Sequence, residues 1–219
     1  MDEAVEMATA LSRAGFSTVY CTPHMVRGAF EVDNATVLAT LASLRTELSR
    51  NGIDLTLLPG REYYLDEFYA DHLKDPLLLG ETRYFLVEIS GSLQAAFIKD
   101  AFFRLRSAGY TPLIAHPERC RLLDLPAPPK KGLNALLNTV NSKLKTHNSE
   151  PDKASLLTYL REIGCAFQGN LGSFSGYYGE RVRRKAGKFR AAGLYTHYGS
   201  DLHSIRQKDI LSIVGTMQV

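Results

Sequence analysis

The chain has 219 residues, of which 45% are hydrophobic and 22% are charged, and its formal net charge is +3. This length and composition are typical of one globular domain with a substantial core, and the net charge is too small to indicate a nucleic-acid partner. No stretch reaches the length of a membrane span or resembles a secretory signal, so we expect no membrane insertion. The three cysteines, Cys21, Cys120 and Cys165, form no C-x2-C pair, which favours a reducing cytoplasm over a disulfide framework.

One pattern recurs along the chain: a helical segment carrying an arginine, then a glycine, then a short run of β-prone residues. Glycine just past a helix end can adopt the left-handed conformation that closes the helix, and the arginine suits the negative end of the helix dipole. We therefore predict helix-to-strand joints at Gly15, Gly52, Gly109, Gly164 and Gly193, and a sixth strand over 84–89 after Gly80.

The segments between these joints are amphipathic at helical spacing. In chain order they are a helix over 2–15, a helix over 34–50 behind an Asp33/Asn34 cap, and a helix over 93–107. The apolar positions expected to face the core are Val37, Leu38, Leu41, Leu44, Leu48, Phe97, Ile98 and Phe102. Strands that alternate with helices predict a parallel α/β sheet, either a barrel or a doubly wound sheet.

Two segments carry less information about the fold. The basic stretch over 180–190 indicates the solvated face of a helix. The stretch over 125–153, rich in proline, lysine and asparagine, indicates an insertion loop inside a single domain that spans 1–219.

Side chains that can bind a metal follow five of the six predicted strands. In parallel α/β folds such positions converge, because the loops at the carboxyl ends of the strands meet over the sheet or barrel mouth. A mixed set of imidazoles and carboxylates suits Zn²⁺, Mn²⁺ or Fe²⁺ better than Ca²⁺. The sequence thus predicts a multinuclear metal site whose ligands are His24, Glu62, Glu88, His116, Asp201 and His203.

A metal site of this kind favours hydrolysis, because bound metal lowers the pKa of water and neutralises charge on a phosphoryl oxygen. Arg119 lies three residues past His116, where its planar guanidinium could hold a phosphate; the alternative is a surface pair with Glu118. Arg206, three residues past His203, is a second candidate of the same kind.

A competing motif is C-x5-R, the spacing of cysteine-dependent tyrosine phosphatases, which "CTPHMVR" satisfies over 21–27. Pro23 removes one of the backbone amides that a phosphate-binding loop would need. We therefore expect Cys21 to be a small apolar residue at a strand end rather than a nucleophile.

In this order, "CTPHM", "GREYYLDE", "RYFLVEIS", "AHPERCRLL", "FQGNLGSFSG" and "GSDLHS" resemble the bacterial PHP-type (polymerase and histidinol phosphatase) protein-tyrosine phosphatases of capsular and exopolysaccharide biosynthesis. The resemblance implies a distorted (β/α)7 barrel, up to three metal ions, often Mn²⁺, and hydrolysis of phosphotyrosine on the tail of a bacterial tyrosine kinase. It also implies that Glu62, Glu88 and His116 surround one metal and that Glu62 bridges to a second metal held partly by Asp201. His24 and His203 would serve a third metal, and Arg119 would orient the phosphate.

The family's first strand, with its H-x-H ligands, has no counterpart in this sequence. We expect that the natural start lies upstream, the alternative being a decayed relative, and that fewer than three metal ions bind, because ligands of two of the family's metals are missing. The strand edges left unpaired favour aggregation or a homo-oligomer. Two alternatives to the tyrosine phosphatase remain. One is a PHP phosphoesterase acting on a small phosphomonoester such as histidinol phosphate; the other is a non-catalytic relative that binds phosphotyrosine or a kinase.

Overall fold

Helices and parallel strands alternate along the chain, as the repeated joints predict. The structure, a computed structural model, describes residues 1–126 and 153–216. Its elements are α1 (Asp2–Arg13), β1 (Thr18–Cys21), β2 (His24–Met25), α2 (Asn34–Arg50), β3 (Thr56–Pro59), β4 (Glu62–Leu65), α3 (Tyr69–His72), β5 (Tyr84–Ile89), α4 (Ala95–Ser107), β6 (Thr111–Ala115), α5 (Lys153–Glu162), β7 (Ala166–Asn170), α6 (Leu171–Ser175), α7 (Glu180–Ala191), β8 (His197–Gly199) and a 3-10 helix (Ile205–Thr216).

The five predicted helix-to-strand joints are confirmed. The glycine at each joint has a positive φ, between +63° and +97°, and each follows a helix that ends within a few residues of it. The predicted bounds of α2 and β5 match the structure, and the basic stretch over 180–190 forms most of α7. The helix predicted over 93–107 begins two residues later, at Ala95.

Two of the predicted strands are each followed, after a short break, by a second strand that was not predicted, so the chain has eight strands in the described residues instead of six. The breaks lie at Thr22–Pro23 and at Gly60–Arg61. The strands before the breaks, β1 and β3, pair in a two-stranded sheet, and the strands after them, β2 and β4, belong to the main sheet. A Cβ at Gly60 would lie 2.6 Å from Cδ2 of Leu79, so a side chain at the bend between β3 and β4 would have to displace that buried leucine.

The main sheet has six strands in the order β2-β4-β5-β6-β7-β8, and all its pairs are parallel. This confirms the predicted parallel α/β architecture. Over the residues that the structure describes, the sheet curls like part of a barrel and leaves β2 and β8 as edges. The curl brings those edges together, because His24 at the start of β2 contacts His203 beyond β8.

The larger core cluster packs α4 and α5 against the middle of this sheet. Its fully buried side chains include Ile98, Phe102, Leu105, Leu157, Leu160 and Ile114. A second cluster packs α1 and α2 against β3 and the 3-10 helix, through residues such as Leu11, Leu41, Leu48, Leu57 and Leu211. Of the apolar positions predicted to face the core, Leu38 is the exception, since it lies exposed on α2.

Parts of the sequence predictions lie outside what the structure tests. Most of the predicted insertion, residues 127–152, lies outside the described residues, and the single-domain assignment stays a prediction. Among the helices within 1–126 and 153–216, none combines the length and the apolar character needed to cross a bilayer.

The cap at the start of α2 gives a stability prediction. Oδ1 of Asp33 accepts a hydrogen bond from the backbone N of Thr36 at 2.6 Å, and hydrogen bonding to Thr36 lowers the pKa of Asp33. A pKa lowered in the folded state adds stability above the unfolded value of about 3.9, and this gain is lost as the pH falls through the folded value. We expect Asp33→Ala to lower the thermal midpoint at about pH 7, and the difference to shrink as the pH falls below the unfolded value.

Circular dichroism melts of wild type, Asp33→Ala and Asp33→Asn measure this effect. The asparagine variant keeps a side-chain oxygen acceptor but cannot ionise, so its midpoint should lie between the other two at neutral pH. A difference between wild type and the alanine variant that stays constant with pH would contradict the charged cap.

Candidate metal centre

Each of the six side chains predicted as metal ligands lies at or just beyond the carboxyl end of a strand. His24 and Glu62 are register partners at the starts of β2 and β4, just beyond the breaks that follow β1 and β3. Glu88 lies near the end of β5, and His116 directly follows β6. Asp201 and His203 follow β8.

Four of these six side chains converge. One ligand atom from each of His24, Glu62 and Glu88 lies within 4.8 Å of the others. Nε2 of His116 lies 3.1 Å from Oε1 of Glu62 and 3.8 Å from Oε1 of Glu88. Glu62 and His116 are buried, so their polar atoms satisfy each other where water has little access.

His203 joins this group through His24. The two Nε2 atoms are 3.0 Å apart, and the rings are stacked with centroids 5.2 Å apart. Two imidazole nitrogens can share one proton at this distance, or both can face a cation. Nδ1 of His203 lies 2.9 Å from the backbone O of Asp201, which fixes the ring.

Asp201 is held from three sides. Its Oδ2 accepts hydrogen bonds from NH1 of Arg119 at 2.8 Å, from Nδ2 of Asn170 at 2.7 Å and from the hydroxyl of Tyr178 at 3.2 Å. Burial, followed by the charge of Asp201, raises the pKa of Tyr178 to about 12, so the phenol remains a proton donor at neutral pH. The other carboxylate oxygen, Oδ1, stays available on the side of His203, whose Nδ1 is 3.6 Å away.

The backbone at two of the predicted ligands is strained. Within the described residues, the non-glycine residues with positive φ are His116, at +31°, and Asp201, at +53°. Such conformations cost free energy and persist where the surrounding structure enforces them, as it often does at functional sites. Both residues leave a strand and turn sharply toward the same cluster.

The protonation of His116 depends on its carboxylate neighbours. Burial opposes a charge on the imidazole, but the hydrogen bond and the negative charge of Glu62 outweigh it, and the pKa of His116 is raised. Glu62 therefore makes its neighbour more basic, which suits a nitrogen that binds either a proton or a cation.

Arg119 is oriented by the aromatic ring beneath it as well as by Asp201. Its guanidinium carbon lies 4.4 Å from the ring centroid of Tyr178. The surface pair with Glu118 considered from the sequence is not formed: Glu118 is buried and accepts from the backbone N of Asn170 and from the hydroxyl of Tyr195.

Arg206 lies apart from this cluster. It is exposed on the 3-10 helix, and its charge assists hydrogen bonds from Ser204 and Ile205 in lowering the pKa of Glu3. A role for Arg206 with the substrate stays a prediction.

A polar cavity of about 250 Å³ opens among these groups. It is lined by His24, Glu88, His116, Arg119, Tyr178, Asp201, His203 and Gln207. A larger, mainly apolar cavity of about 880 Å³ adjoins it and shares His24, Asp201 and His203 with it. Polar surface therefore gives way to apolar surface beside the two stacked histidines.

The donor set fits a divalent metal. Glu62, Glu88 and Asp201 supply three carboxylates. Arg119 is the one guanidinium that lines the polar cavity, and it pairs with Asp201. Carboxylate oxygens as close as those of Glu62 and Glu88, within 4.8 Å, destabilise one another unless a cation is bound between them. Imidazole and carboxylate ligands in one cluster suit Mn²⁺, Fe²⁺ or Zn²⁺, and His24, Glu62 and Glu88 are the group best placed to hold such an ion.

The arrangement of the C-x5-R motif argues against a cysteine nucleophile. Arg27 pairs with Asp71 at 3.3 Å, and its guanidinium carbon lies 4.0 Å over the ring of Phe68. Burial raises the pKa of Cys21, which disfavours the thiolate. Cys21 and Arg27 therefore do not form a phosphate cradle.

Sequence reasoning missed three residues that organise the site: Asn170, Tyr178 and Gln207. Asn170 ends β7, the one strand without a predicted ligand, and its side chain bonds Asp201 instead of a metal. Its amide oxygen also accepts from the N of Gly172. The polar residue at that strand end was a usable signal, whereas no local pattern marked Tyr178 or Gln207.

An open parallel sheet with histidines and carboxylates gathered at one edge defines the class of metal-dependent α/β hydrolases. Residues 1–126 match the family model described as "Capsular polysaccharide synthesis, CpsB/CapC". The chain therefore belongs to the CpsB/CapC family.

Relatives of the chain are named as tyrosine phosphatases. It is 29% identical over 209 residues to tyrosine-protein phosphatase YwqE of Bacillus subtilis, an alignment that covers 94% of this chain and 72% of YwqE. It is 22% identical to the putative tyrosine-protein phosphatase CapC of Staphylococcus aureus, over 96% of this chain and 73% of CapC. It is 27% identical to tyrosine-protein phosphatase CpsB of Streptococcus pneumoniae, over 56% of this chain and 51% of CpsB.

A solved structure supports the same assignment. The match is to the crystal structures of YwqE from B. subtilis and CpsB from S. pneumoniae, described as unique metal-dependent tyrosine phosphatases. The TM-score is 0.74 at 27% identity, and the match covers 97% of this chain and 78% of the other. The curled parallel sheet is thus the fold of these phosphatases, which confirms the fold expected from the resemblance.

Proposed function

We propose that this chain is a metal-dependent phosphotyrosine phosphatase of capsular or exopolysaccharide synthesis. The observation that carries the proposal is the convergence of His24, Glu62 and Glu88, with Arg119 held beside them on Asp201. Membership of the CpsB/CapC family supports it, as do relatives named as tyrosine phosphatases. The substrate we expect is the phosphotyrosine tail of a bacterial tyrosine kinase, reached in the cytoplasm.

The charge of the site explains why a metal is needed. Glu88 and Asp201 line the polar cavity, and Glu62 lies next to Glu88. These three carboxylates outnumber the one guanidinium that lines the cavity, so a phosphate dianion would be repelled. A divalent metal held by His24, Glu62 and Glu88 would offset this excess of negative charge, and it would lower the pKa of its bound water and neutralise charge on a phosphoryl oxygen. Mn²⁺ is the ion we expect, with Zn²⁺ or Fe²⁺ as alternatives.

The protein groups then position the phosphate. One N–H of Arg119 is used by Asp201, which leaves other donors of its planar guanidinium free for phosphate oxygens. Asn170 and Tyr178 keep Asp201 in place, so the guanidinium keeps its direction when a substrate enters. The leaving group is a phenolate with a solution pKa of about 10, a better leaving group than an alkoxide.

Metal content and turnover of p-nitrophenyl phosphate, measured on one sample, test this proposal. Chelator treatment should abolish turnover, and added Mn²⁺ should restore it, while iodoacetamide and Cys21→Ser should change it little. Turnover that resists the chelator and is lost on alkylation would contradict the metal mechanism.

Two other results would point to the alternative functions. Binding of a phosphotyrosine peptide to the Mn²⁺-loaded protein without hydrolysis would indicate a non-catalytic relative. Faster hydrolysis of histidinol phosphate than of a phosphotyrosine peptide would indicate a small-molecule phosphoesterase.

A further inference from the structure

Two exposed aromatic rings lie beside the candidate metal ligands. Phe30 and Tyr177 expose 57% and 55% of their surface. Phe30 is next to His24, with ring centroids 5.9 Å apart. Tyr177 is next to Tyr178, whose hydroxyl bonds Asp201.

The loop that carries Phe30 is held by backbone hydrogen bonds. The N of Phe30 donates to the O of Val26 at 2.8 Å, and the N of Val26 donates to the O of Phe30 at 3.0 Å. Gly28, with φ +77°, allows the tight turn between them. The backbone that carries the exposed ring is therefore held close to His24 before any ligand binds.

Tyr177 is held by hydrogen bonds of its own backbone and hydroxyl. Its backbone N donates to the O of Gly172 at 2.9 Å, and its hydroxyl accepts from Nε2 of Gln207 at 3.3 Å. Oε1 of the same glutamine accepts from the backbone N of His203 at 2.7 Å. One side chain thus links the ring of Tyr177 to the loop that holds a candidate ligand.

The polar cavity suits the phosphate group but not an aryl ring. Its lining consists of imidazoles, carboxylates, a guanidinium, an amide and a phenol, so a phenyl group inside would leave these groups without partners. Apolar surface begins at its rim, where Phe30 lines the adjoining cavity. The edge-on contact of Tyr177 with Tyr178, at 5.1 Å, places Tyr177 one ring further from Arg119.

We propose that Phe30 and Tyr177 contact the phenyl ring of the substrate and give the site its preference for aryl over alkyl phosphates. This assignment rests on the proposed function and names the residues that would select phosphotyrosine. Aromatic contacts are favourable beyond the area they bury, and less side-chain freedom is lost by a ring that is already restrained, as that of Tyr177 is by Gln207.

Binding of two phosphonates to the Mn²⁺-loaded protein tests the assignment without turnover. Phenylphosphonate and methylphosphonate share the anionic group and differ in the ring. By calorimetry, Phe30→Ala and Tyr177→Ala are each expected to weaken phenylphosphonate relative to methylphosphonate by about 5-fold, and the double variant by more. Phe103→Ala, which removes an equally exposed ring from α4, is the control and should leave the ratio unchanged.

Kinetics on paired peptides of one sequence provide the second readout. The ratio of kcat/KM for the phosphotyrosine peptide to that for the phosphoserine peptide should fall in both variants, through KM. Phe30→Leu and Tyr177→Leu keep apolar bulk in case the alanine variants fold poorly, and should show a smaller fall. A double variant that keeps the wild-type phosphonate ratio overturns the assignment.

The two proposals fail in different ways. Wild-type protein that binds Mn²⁺ and prefers phenylphosphonate but hydrolyses neither peptide overturns the phosphatase and supports the ring contacts. Wild-type protein that hydrolyses phosphate esters but shows no preference for phenylphosphonate overturns the ring contacts and supports the phosphatase.

Discussion

Replacing His116 with alanine is expected to lower kcat/KM for p-nitrophenyl phosphate by at least about 10³-fold, because metal binding supplies several kcal/mol of charge stabilisation in the transition state. Nε2 of His116 lies 3.1 Å from Glu62 and 3.8 Å from Glu88, so its removal takes a nitrogen donor from the centre of the carboxylate pair. The metal bound per chain should fall as well. The loss therefore appears in two measurements, turnover and metal analysis.

A histidine outside the cluster provides the control. His197 lies on β8, where its ring meets Tyr84 edge-on at 4.6 Å. His197→Ala should alter stability rather than metal content, which thermal unfolding and metal analysis separate. Equal losses of metal in both variants would mean that the folded state, and not the ligand, was lost. Full activity in His116→Ala would remove this residue from the metal centre.

The sequence predicts those features of the fold that depend on interactions between residues close together in the chain. The joints were readable because a glycine past a helix end is a short-range signal, and the cap at Asp33 is contained in four residues. The proline and glycine at positions 23 and 60 did not suffice to predict the breaks after β1 and β3. The bend at Gly60 depends on a residue 19 positions away, since Leu79 occupies the space that a side chain at Gly60 would need.

The same difference between local and long-range interactions applies to the residues of the candidate site. Residues that end apolar runs could be found, because parallel strands bring their carboxyl ends to one edge. The partner of Arg119 could not, since Asp201 is 82 positions away and Glu118 is adjacent. The burial of Glu118 determines which carboxylate pairs with Arg119. Glu118 accepts hydrogen bonds from Asn170 and Tyr195 in the interior, so the guanidinium of Arg119 contacts Asp201 and Tyr178 instead.

Arg119→Ala is expected to lower kcat/KM by about 10²-fold, the usual cost of removing a donor aimed at charge in the transition state. Metal content should stay at the wild-type level, because Asp201 retains the donors Asn170 and Tyr178. Arg104 on α4 is the matched control, since its Nε pairs with Asp100 at 2.8 Å, the same distance as the pair of Arg119 with Asp201. Arg104→Ala should leave turnover unchanged.

Arg119→Lys separates charge from shape. Lysine keeps the positive charge but has neither the planar fork that can bond a carboxylate and a phosphate together nor a flat face to lie on Tyr178. We expect kcat/KM of Arg119→Lys to exceed that of Arg119→Ala by less than about tenfold. The remaining deficit should lie in kcat, because a single ammonium cannot bond the carboxylate and the phosphate oxygens in fixed directions. Wild-type activity in the lysine variant would mean that the phosphate is attracted by charge alone. The contact of Arg119 with Tyr178 would then have no part in the reaction.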